Sequence, residues 1–392
     1  MENVSERRIK VLLMYRTFGP SVNLCGYLQL KWLAERHMIE FHDKRIMDIQ
    51  KQDLQWCEVA VFVRGDALLD EWMAKVCHKA GKTVVYILDD DLLNVPITMG
   101  SGPYYAQESV KRHIRRMMEY SDYFMSPSKV LLEKYGGLFK DSFLLHEPSA
   151  YVIDEKRSNS DGKIHIGFAG SSDRGQDIDA ILTDALTAIA EKYKDQIVIE
   201  IFGTETELSK KLHCRTIPYT ESYEEYQQKM LELNWDIGLA PMPESDFHAC
   251  KYYNKLVEYA GFGIAGVYSN VLPYTEGVLN RENGLLCDNT SEAWTGALSE
   301  LIENTQFRQK ISRYSIQQSK SEFSVAYSAT SFDRCLRAFE ITSNQGKTAI
   351  FWNFHKFQGL VSWYLEKFKK YGMATPIIAI KKVMYLMRRT RK

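Results

Sequence analysis

Short runs of apolar residues alternate along the chain with longer stretches in which apolar residues recur at helical spacing. The run IKVLLMY at 9–15 is the first of them. A strand buried on both faces gives such a run, whereas an amphipathic helix gives the 3.6-residue spacing. The alternation predicts parallel sheets wrapped by helices. The predicted strands are 9–15, 59–63, 83–88, 123–126, 142–146, 164–169, 197–202, 237–240 and 265–268.

Residues 154–163, DEKRSNSDGK, contain no apolar residue and are predicted to link two domains. The fold class is therefore α/β, with two Rossmann-like β/α domains at 1–153 and 164–346 facing each other across a cleft. A basic amphipathic helical tail, 347–392, follows. Open parallel sheets bind ligands beyond the carboxyl ends of their strands, so we expect the functional site in the cleft. The predicted helices are 24–35, 70–80, 108–120, 178–193, 223–233, 253–259 and 294–304.

The net charge of zero hides a strong asymmetry along the chain. Residues 347–392 carry eleven Lys and Arg against the single acid Glu366, so the tail is about +10 and the body about −10. A nucleic-acid-binding protein concentrates its basic excess on the folded body, and this class is therefore not expected. Apolar residues make up 45% of the chain, which excludes disorder as its main state.

The seven cysteines are scattered and form no C-x-x-C pair. This pattern is typical of reduced thiols in a cytoplasmic protein, and it indicates neither a disulfide framework nor a zinc site. The N-terminus has too short an apolar stretch for a signal peptide. No apolar run approaches the roughly 20 residues of a membrane-spanning helix.

The segment 241–287 has the most informative spacing in the sequence. A lysine-bearing loop leads into a helix with the pattern K-x-x-E-Y-x-x-x-G, and a P-Y turn and N-G-L-L follow. The residues that carry this pattern are Lys251, Lys255, Leu256, Glu258, Tyr259, Gly263, Pro273, Tyr274, Asn283, Gly284, Leu285 and Leu286. The segment resembles the donor-binding region of retaining glycosyltransferases with the GT-B fold (glycosyl transferases group 1, family 4-like), of the type that builds bacterial cell-surface polysaccharides.

The chemistry of a nucleotide-sugar fits these residue types. A carboxylate accepts two hydroxyl donors from a ribose diol, and Glu258 lies early in its helix. Lys255 shares a helix face with Glu258, and Lys251 lies a turn upstream, where both ammonium groups suit a diphosphate. An exposed Lys–Glu pair on a surface helix is the alternative. Further donor-binding candidates in the segment are Asp246, His248 and Tyr274.

One position departs from the resembling families. They often carry a second acid eight residues before the helix glutamate, which holds the hydroxyls of the transferred sugar. That position is Cys250 in this chain. Glu244 or Asp246 is a possible substitute in the same loop. The departure leaves the identity of the sugar open.

The loop 170–175, GSSDRG, follows a predicted strand and opens a helix. Its backbone N–H groups and the helix N-terminus form a natural anion site, to which Gly170 and Ser171 contribute. Arg174 is the only cation in the loop. The resemblance implies that an Arg and a Lys in this loop contact the leaving diphosphate. This chain has Arg174 alone there, so Lys251 or Lys255 would supply the second charge. The alternative is an ordinary strand–helix turn.

The first domain offers Gly19 and the cluster Asp89-Asp90-Asp91, each after a predicted strand. We expect Asp89 or Asp90 to hold an acceptor sugar hydroxyl, and Gly19 to let the backbone approach a ligand. For the aspartates, a Mg²⁺ or Mn²⁺ site and a helix N-cap cluster are alternatives. For Gly19 the alternative is a plain turn.

Aromatic and apolar residues recur at helical spacing in 350–392, interleaved with Lys and Arg and broken at Pro376. Such a segment is too polar to span a bilayer and suits the surface of an anionic membrane. The expected location is therefore the cytoplasm, at the inner face of the cell membrane. Packing of the tail on the protein body or on a partner is the alternative.

The sequence thus predicts a metal-independent, retaining transferase without a cofactor. It would move a sugar from a nucleotide-sugar, of UDP or GDP type, to a surface glycan or lipid-linked acceptor. The catalytic residues would be Arg174, Lys251 and Lys255, which stabilise the leaving diphosphate. Two alternatives remain: a nucleotide-sugar epimerase on the same fold, and a catalytically silent partner subunit.

Overall fold

A computed structural model describes residues 7–171, 174–220, 222–341, 364 and 368. Within this part of the chain, the strands form two separate six-stranded sheets, and every strand pair is parallel. The strands of the first sheet are β1 (Ile9–Tyr15), β2 (Ile39–Arg45), β3 (Val59–Val63), β4 (Thr83–Ile87), β5 (Tyr123–Ser126) and β6 (Asp141–Leu144). Those of the second are β7 (Ile164–Ala169), β8 (Ile197–Phe202), β9 (Arg215–Ile217), β10 (Ile237–Ala240), β11 (Ala265–Ser269) and β12 (Leu285–Cys287).

The strand orders are β2-β1-β3-β4-β5-β6 and β12-β11-β10-β7-β8-β9. Each order reverses direction beside its first strand, which creates the crevice where doubly wound folds bind ligands. The predicted fold class, two Rossmann-like α/β domains, is confirmed. The helices of the first half are α1 (Pro20–Val22), α2 (Leu28–Glu35), α3 (Lys51–Trp56), α4 (Leu68–Lys79), α5 (Gly102–Tyr105), α6 (Glu108–Glu119) and α7 (Lys129–Tyr135), with a π-helical turn at Asn23–Tyr27.

The second half contains α8 (Gly175–Tyr193), α9 (Glu207–Lys211), α10 (Tyr223–Leu233), α11 (Asp246–Ala249), α12 (Asn254–Gly261), α13 (Tyr274–Gly277), α14 (Ser291–Glu303), α15 (Thr305–Lys320) and α16 (Val325–Ala338). Helices cover both faces of each sheet. Along β1, Leu12 and Met14 belong to one buried cluster, and Val11 and Leu13 to another on the opposite face. This alternation explains the uninterrupted apolar run in the sequence.

The last described helix, α16, packs on the first sheet's domain although it follows the second in sequence. Its buried residues Ala329, Phe332 and Leu336 join the cluster that contains Val11 and Leu13. Gln29 Nε2 donates a hydrogen bond to Ser328 Oγ at 3.0 Å, which fixes α16 beside α2. The chain therefore crosses between the two domains twice.

The sequence pattern missed the strands β2, β9 and β12. It also missed the helices α3, α7, α9, α15 and α16 and the short helices α1, α5, α11 and α13. β2 and β9 are edge strands with mixed burial, so their side chains lack the uninterrupted apolar run of a central strand. The tail prediction for 350–392 falls outside the described residues, apart from Tyr364 and Phe368. Within the described residues, no helix is both long enough and apolar enough to cross a membrane.

Candidate functional site

The carboxyl ends of the two sheets meet at an ion pair between the domains. Lys251 follows α11 in the second domain, and its Nζ lies 2.6 Å from Asp90 Oδ1 in the loop after β4. Both side chains are largely buried, at 16% and 19% exposure. A predicted donor-side lysine and a predicted acceptor-side aspartate are thus in direct contact.

Glu258 and Lys255 form the expected pair on one face of α12. Lys255 Nζ lies 2.7 Å from Glu258 Oε2, and the hydroxyl of Tyr226 on α10 donates to Glu258 Oε1. Both side chains of the pair are largely buried. The carboxylate is therefore held in one orientation by two donors from different helices, unlike an exposed pair on a surface helix.

Tyr226 was not expected from the sequence, because it is one of several aromatic residues on an amphipathic helix. Burial, followed by the nearby Glu258 carboxylate, raises its pKa well above the usual value, so the phenol stays protonated and donates to Glu258. Its ring stacks on Phe202 with centroids 5.0 Å apart and on Tyr223 at 5.9 Å. An aromatic wall thus supports the glutamate.

Arg174 lies at the N-terminus of α8, where the helix dipole favours an anion. Its guanidinium donates to the Pro241 carbonyl at 2.6 Å, and Nε lies 3.0 Å from Asp177 Oδ2. In this state Arg174 therefore stabilises the loop after β10 through its hydrogen bond to Pro241. Its contact with a diphosphate stays a prediction.

His248 lies beside the Arg174–Asp177 pair. Its Nε2 lies 3.9 Å from Asp177 Oδ2, and its Nδ1 lies 2.8 Å from Ser245 Oγ. Burial, together with the positive charges of Arg174 and Lys251, lowers the pKa of His248 to about 4. The imidazole is neutral at physiological pH, so it can exchange hydrogen bonds with sugar hydroxyls without adding charge.

The loops that follow β7 and β8 contact each other beside Arg174 through two glycines. Gly170 and Gly203 lie so close that a Cβ on Gly203 would approach the Gly170 carbonyl oxygen to 2.5 Å, and Gly203 has a φ of +90°. Ser171 next to Gly170 is exposed. Tyr219 lies next to Gly203 and is 70% exposed. The close contact between the two backbones, together with the positive φ, explains why glycine occupies position 203.

Two other donor-binding candidates have different surroundings. Asp246 is exposed in the first turn of α11. The Tyr274 ring is only 2% exposed and packs 5.1 Å from Tyr268. Burial raises the pKa of Tyr274 to about 12, partly opposed by Arg174. The Tyr274 side chain is closed off in this state, so a role of either residue in donor binding stays a prediction.

Cys250, at the position where the resembling families carry an acid, is buried at the domain boundary. It packs with the hydrophobic cluster of the first domain and lies 4.0 Å from Asp91 Oδ2. Burial raises its pKa to about 11, so the thiol is neutral. This position therefore contributes to packing between the domains.

Each of the three aspartates after β4 is paired with at least one basic side chain. Asp89 and Asp90 both pair with Arg64, at 3.3 and 3.0 Å, while Asp91 is bound by Lys134 Nζ and the Tyr135 hydroxyl at 2.6 Å each. No helix begins at Leu92, because the described chain continues in turns as far as α5. The N-cap alternative is therefore wrong.

Gly19 caps α1 from an extended backbone with a φ of −144°. A Cβ added there would meet no atom within 4 Å. Neither its backbone conformation nor its packing in this state requires glycine. Its contact with an acceptor stays a prediction.

A buried carboxyl pair lies behind Asp90. Cys25 Sγ and one oxygen each of Asp89 and Glu147 lie within 4.8 Å of one another. Burial, with Asp89 as the second cause, raises the pKa of Glu147 to about 8. The Cys25 thiol donates to Glu147 Oε1 at 3.4 Å. Sequence reasoning missed Glu147 because a single acid after a short strand carries no spacing signal.

Neither a protein-family model nor a curated protein sequence matches the chain. Solved structures do match its fold. HepE from Anabaena, solved in complex with UDP and glucose, superposes with a TM-score of 0.60 at 14% identity over 85% of this chain and all of the HepE chain. HepE was also solved with UDP-glucose.

Two further solved structures are similar over nearly their whole length. A glycosyltransferase from Rickettsia africae has a TM-score of 0.57 at 12% identity, covering 84% of this chain and 98% of its own. A putative UDP-N-acetylglucosamine 2-epimerase from Listeria monocytogenes has a TM-score of 0.53 at 11% identity, covering 86% and 98%. The chain thus has the two-domain GT-B fold, as its sequence resemblance implied.

Proposed function

We propose that this protein is a glycosyltransferase. It transfers a sugar from a UDP- or GDP-sugar to a surface glycan or a lipid-linked acceptor, with retention of the anomeric configuration and without a bound metal. The second domain binds the donor and the first domain the acceptor. The similarity in fold to HepE, which was solved with UDP-glucose, supports this proposal.

One observation carries it. Lys251, Arg174 and the Tyr226-held Glu258 belong to the second domain, and Asp90 of the first domain contacts Lys251 directly. Cations and a carboxylate with a fixed orientation are the groups that a diphosphate and a ribose diol need. One carboxylate of the first domain, that of Asp90, lies 2.6 Å from the Lys251 ammonium group.

The mechanism follows from the charges. Bond cleavage between the sugar and the diphosphate places negative charge on the leaving phosphate. Arg174, Lys251 and Lys255 stabilise that charge, and the N-terminus of α8 adds its dipole. An acceptor hydroxyl attacks from the same face as the leaving group and passes its proton to the departing phosphate oxygen. Neutral His248 is placed to orient a donor hydroxyl.

A donor screen tests this function. We expect a UDP- or GDP-sugar to raise the melting temperature, and CMP- and dTDP-sugars to do so less. Transfer should persist in EDTA, because the three cationic side chains supply the positive charge. Loss of transfer in EDTA, restored by Mg²⁺ or Mn²⁺, would contradict the metal-free mechanism. A silent partner subunit would bind none of the nucleotides.

Asp89 and Glu147 favour a second candidate, a nucleotide-sugar epimerase. An epimerase needs a pair of groups that exchange protons with the sugar. Asp89 and Glu147 lie side by side but are only 8% and 2% exposed, so they would serve only if the donor sugar reached them. Incubation with the donor alone separates the two functions. An epimerase yields a changed nucleotide-sugar, whereas a transferase needs an acceptor.

The basic segment 350–392 is proposed to hold the enzyme on the inner face of the membrane. Each basic residue near an anionic surface contributes about 1 kcal/mol to binding. The segment carries about ten net positive charges, and their contributions add up. Full-length protein should co-sediment with vesicles that contain phosphatidylserine, and high salt should release it. A variant truncated after Gly346 should stay in the supernatant. Equal sedimentation of both would contradict the membrane role.

A further inference from the structure

The contact between Asp90 and Lys251 joins the two halves of the proposed active site through one carboxylate. Asp90 Oδ1 receives Lys251 Nζ at 2.6 Å, and Asp90 Oδ2 receives Arg64 Nη2 at 3.0 Å. Both oxygens are thus occupied by cations from different domains. A ligand hydroxyl that approaches Asp90 would have to share an oxygen with one of these two cations.

The ammonium group of Lys251 also has two partners in this state. It lies against Asp90 and 4.6 Å from the centre of the Phe247 ring. A diphosphate that approaches Lys251 brings negative charge towards Asp90, and the two anions compete for the same ammonium. Donor binding therefore weakens the ion pair between the domains.

Arg64 keeps Asp90 in place when Lys251 leaves. Its backbone has a φ of +52°, and its guanidinium also donates to Ser21 Oγ at 3.0 Å and pairs with Asp89 at 3.3 Å. Burial alone would raise the pKa of Asp90, but Lys251 and then Arg64 outweigh it and lower the pKa. Without Lys251, Asp90 keeps one cation and gains a free oxygen.

We propose that the donor diphosphate displaces Asp90 from Lys251, and that the released Asp90, still held by Arg64, accepts a hydroxyl of the acceptor. The inference rests on the proposed function, because it takes Lys251 as a donor ligand. It makes Asp90 a positioning residue for Lys251 before the donor binds. Since coupling between two sites is reciprocal, an acceptor on Asp90 also strengthens donor binding.

Calorimetric titration of UDP and of inorganic pyrophosphate into the full-length protein tests the exchange. Asp90→Asn removes the competitor, so we expect both ligands to bind about fivefold more tightly, the scale of one partly buried ion pair. Lys251→Met should weaken both about tenfold. In the Asp90→Asn/Lys251→Met double variant, the gain from Asp90→Asn should vanish. Tighter binding is a result that damage to folding does not produce.

Glu276→Gln is the matched control, since Glu276 forms another ion pair between the domains, with Lys129 at 3.7 Å. It should leave both affinities unchanged. Unchanged or weaker binding in Asp90→Asn overturns the exchange, and so does a gain that persists in the double variant. Failure of the wild type to bind either ligand overturns both the exchange and the proposed function. Binding of pyrophosphate but of neither UDP nor GDP, titrated in parallel, overturns the proposed function and leaves only the competition between Asp90 and an anion for Lys251.

Discussion

Glu147→Gln is expected to change the pH dependence of stability more than any other substitution of a single buried side chain in the cleft. The native pKa of Glu147 is about 8, against 4.5 in an unfolded chain. Between pH 4.5 and pH 8, the Glu147 carboxyl group is therefore protonated in the native state and ionised in the unfolded state. The stabilising contribution of Glu147 is full below about pH 4.5 and is lost as the pH rises through 8.

The effect is large because the carboxyl group is only 2% exposed. Each unit of pKa difference corresponds to about 1.4 kcal/mol, so the loss between pH 4.5 and pH 8 is about 4 kcal/mol. Asp70 and His248 also titrate abnormally in part of this range. They are common to both proteins, so the difference between wild type and Glu147→Gln isolates Glu147.

Denaturant unfolding of both proteins at pH 5, 6, 7 and 8 measures that difference. The glutamine variant keeps an oxygen that accepts from the Cys25 thiol, and it should become the more stable protein near pH 8. Infrared difference spectra should show a protonated carboxyl band at pH 6 that the variant lacks. Parallel stability profiles for the two proteins would show that Glu147 titrates normally.

Glu258→Ala is expected to weaken UDP binding about 100-fold. The side chain would supply two charge-assisted hydrogen bonds to the ribose diol, and the loss of such bonds costs about 2–3 kcal/mol. The same variant should bind inorganic pyrophosphate at least as tightly as the wild type, because that ligand has no ribose and Lys255 loses its carboxylate partner. Calorimetry with the two ligands thus separates loss of a ribose contact from general damage to the site.

Two related variants sharpen this test. Tyr226→Phe removes the hydroxyl that orients Glu258 and should weaken UDP binding only about threefold, because Lys255 still holds the Glu258 carboxylate. Glu300→Ala breaks a Glu–Arg pair with Arg281 elsewhere in the same domain and should have no effect on UDP. Equal losses for UDP and pyrophosphate in Glu258→Ala would rule out a ribose role.

The fold could be predicted where a strand is buried on both faces. Runs such as VAVFV at 59–63 allow little other than a central strand, and they fixed the α/β class. The side chains of the edge strand β2, IEFHDKR, are mostly half-buried or exposed, so this strand lacks that signal. In α16 the buried residues 329, 332, 335 and 336 do recur at helical spacing, but local periodicity does not reveal which domain the helix joins.

The candidate site was predictable in part for the same reason. Lys255 and Glu258 are three residues apart on one helix, so their pairing follows from local geometry. Arg64 could have been found, since it and Asp89 follow neighbouring strands whose residues Val63 and Ile87 are paired. The Lys251–Asp90 contact joins residues 161 positions apart, and only the relative placement of two domains creates it.

The return of α16 to the first domain has a consequence for synthesis on the ribosome. Ala329, Phe332 and Leu336 fill the cluster beside Val11 and Leu13, so an apolar face of the N-terminal domain stays bare until almost 340 residues have been made. The first half to emerge is thus the last to be completed. A nascent chain that stops before residue 325 would expose this face to chaperones, and the second domain should reach its native state earlier.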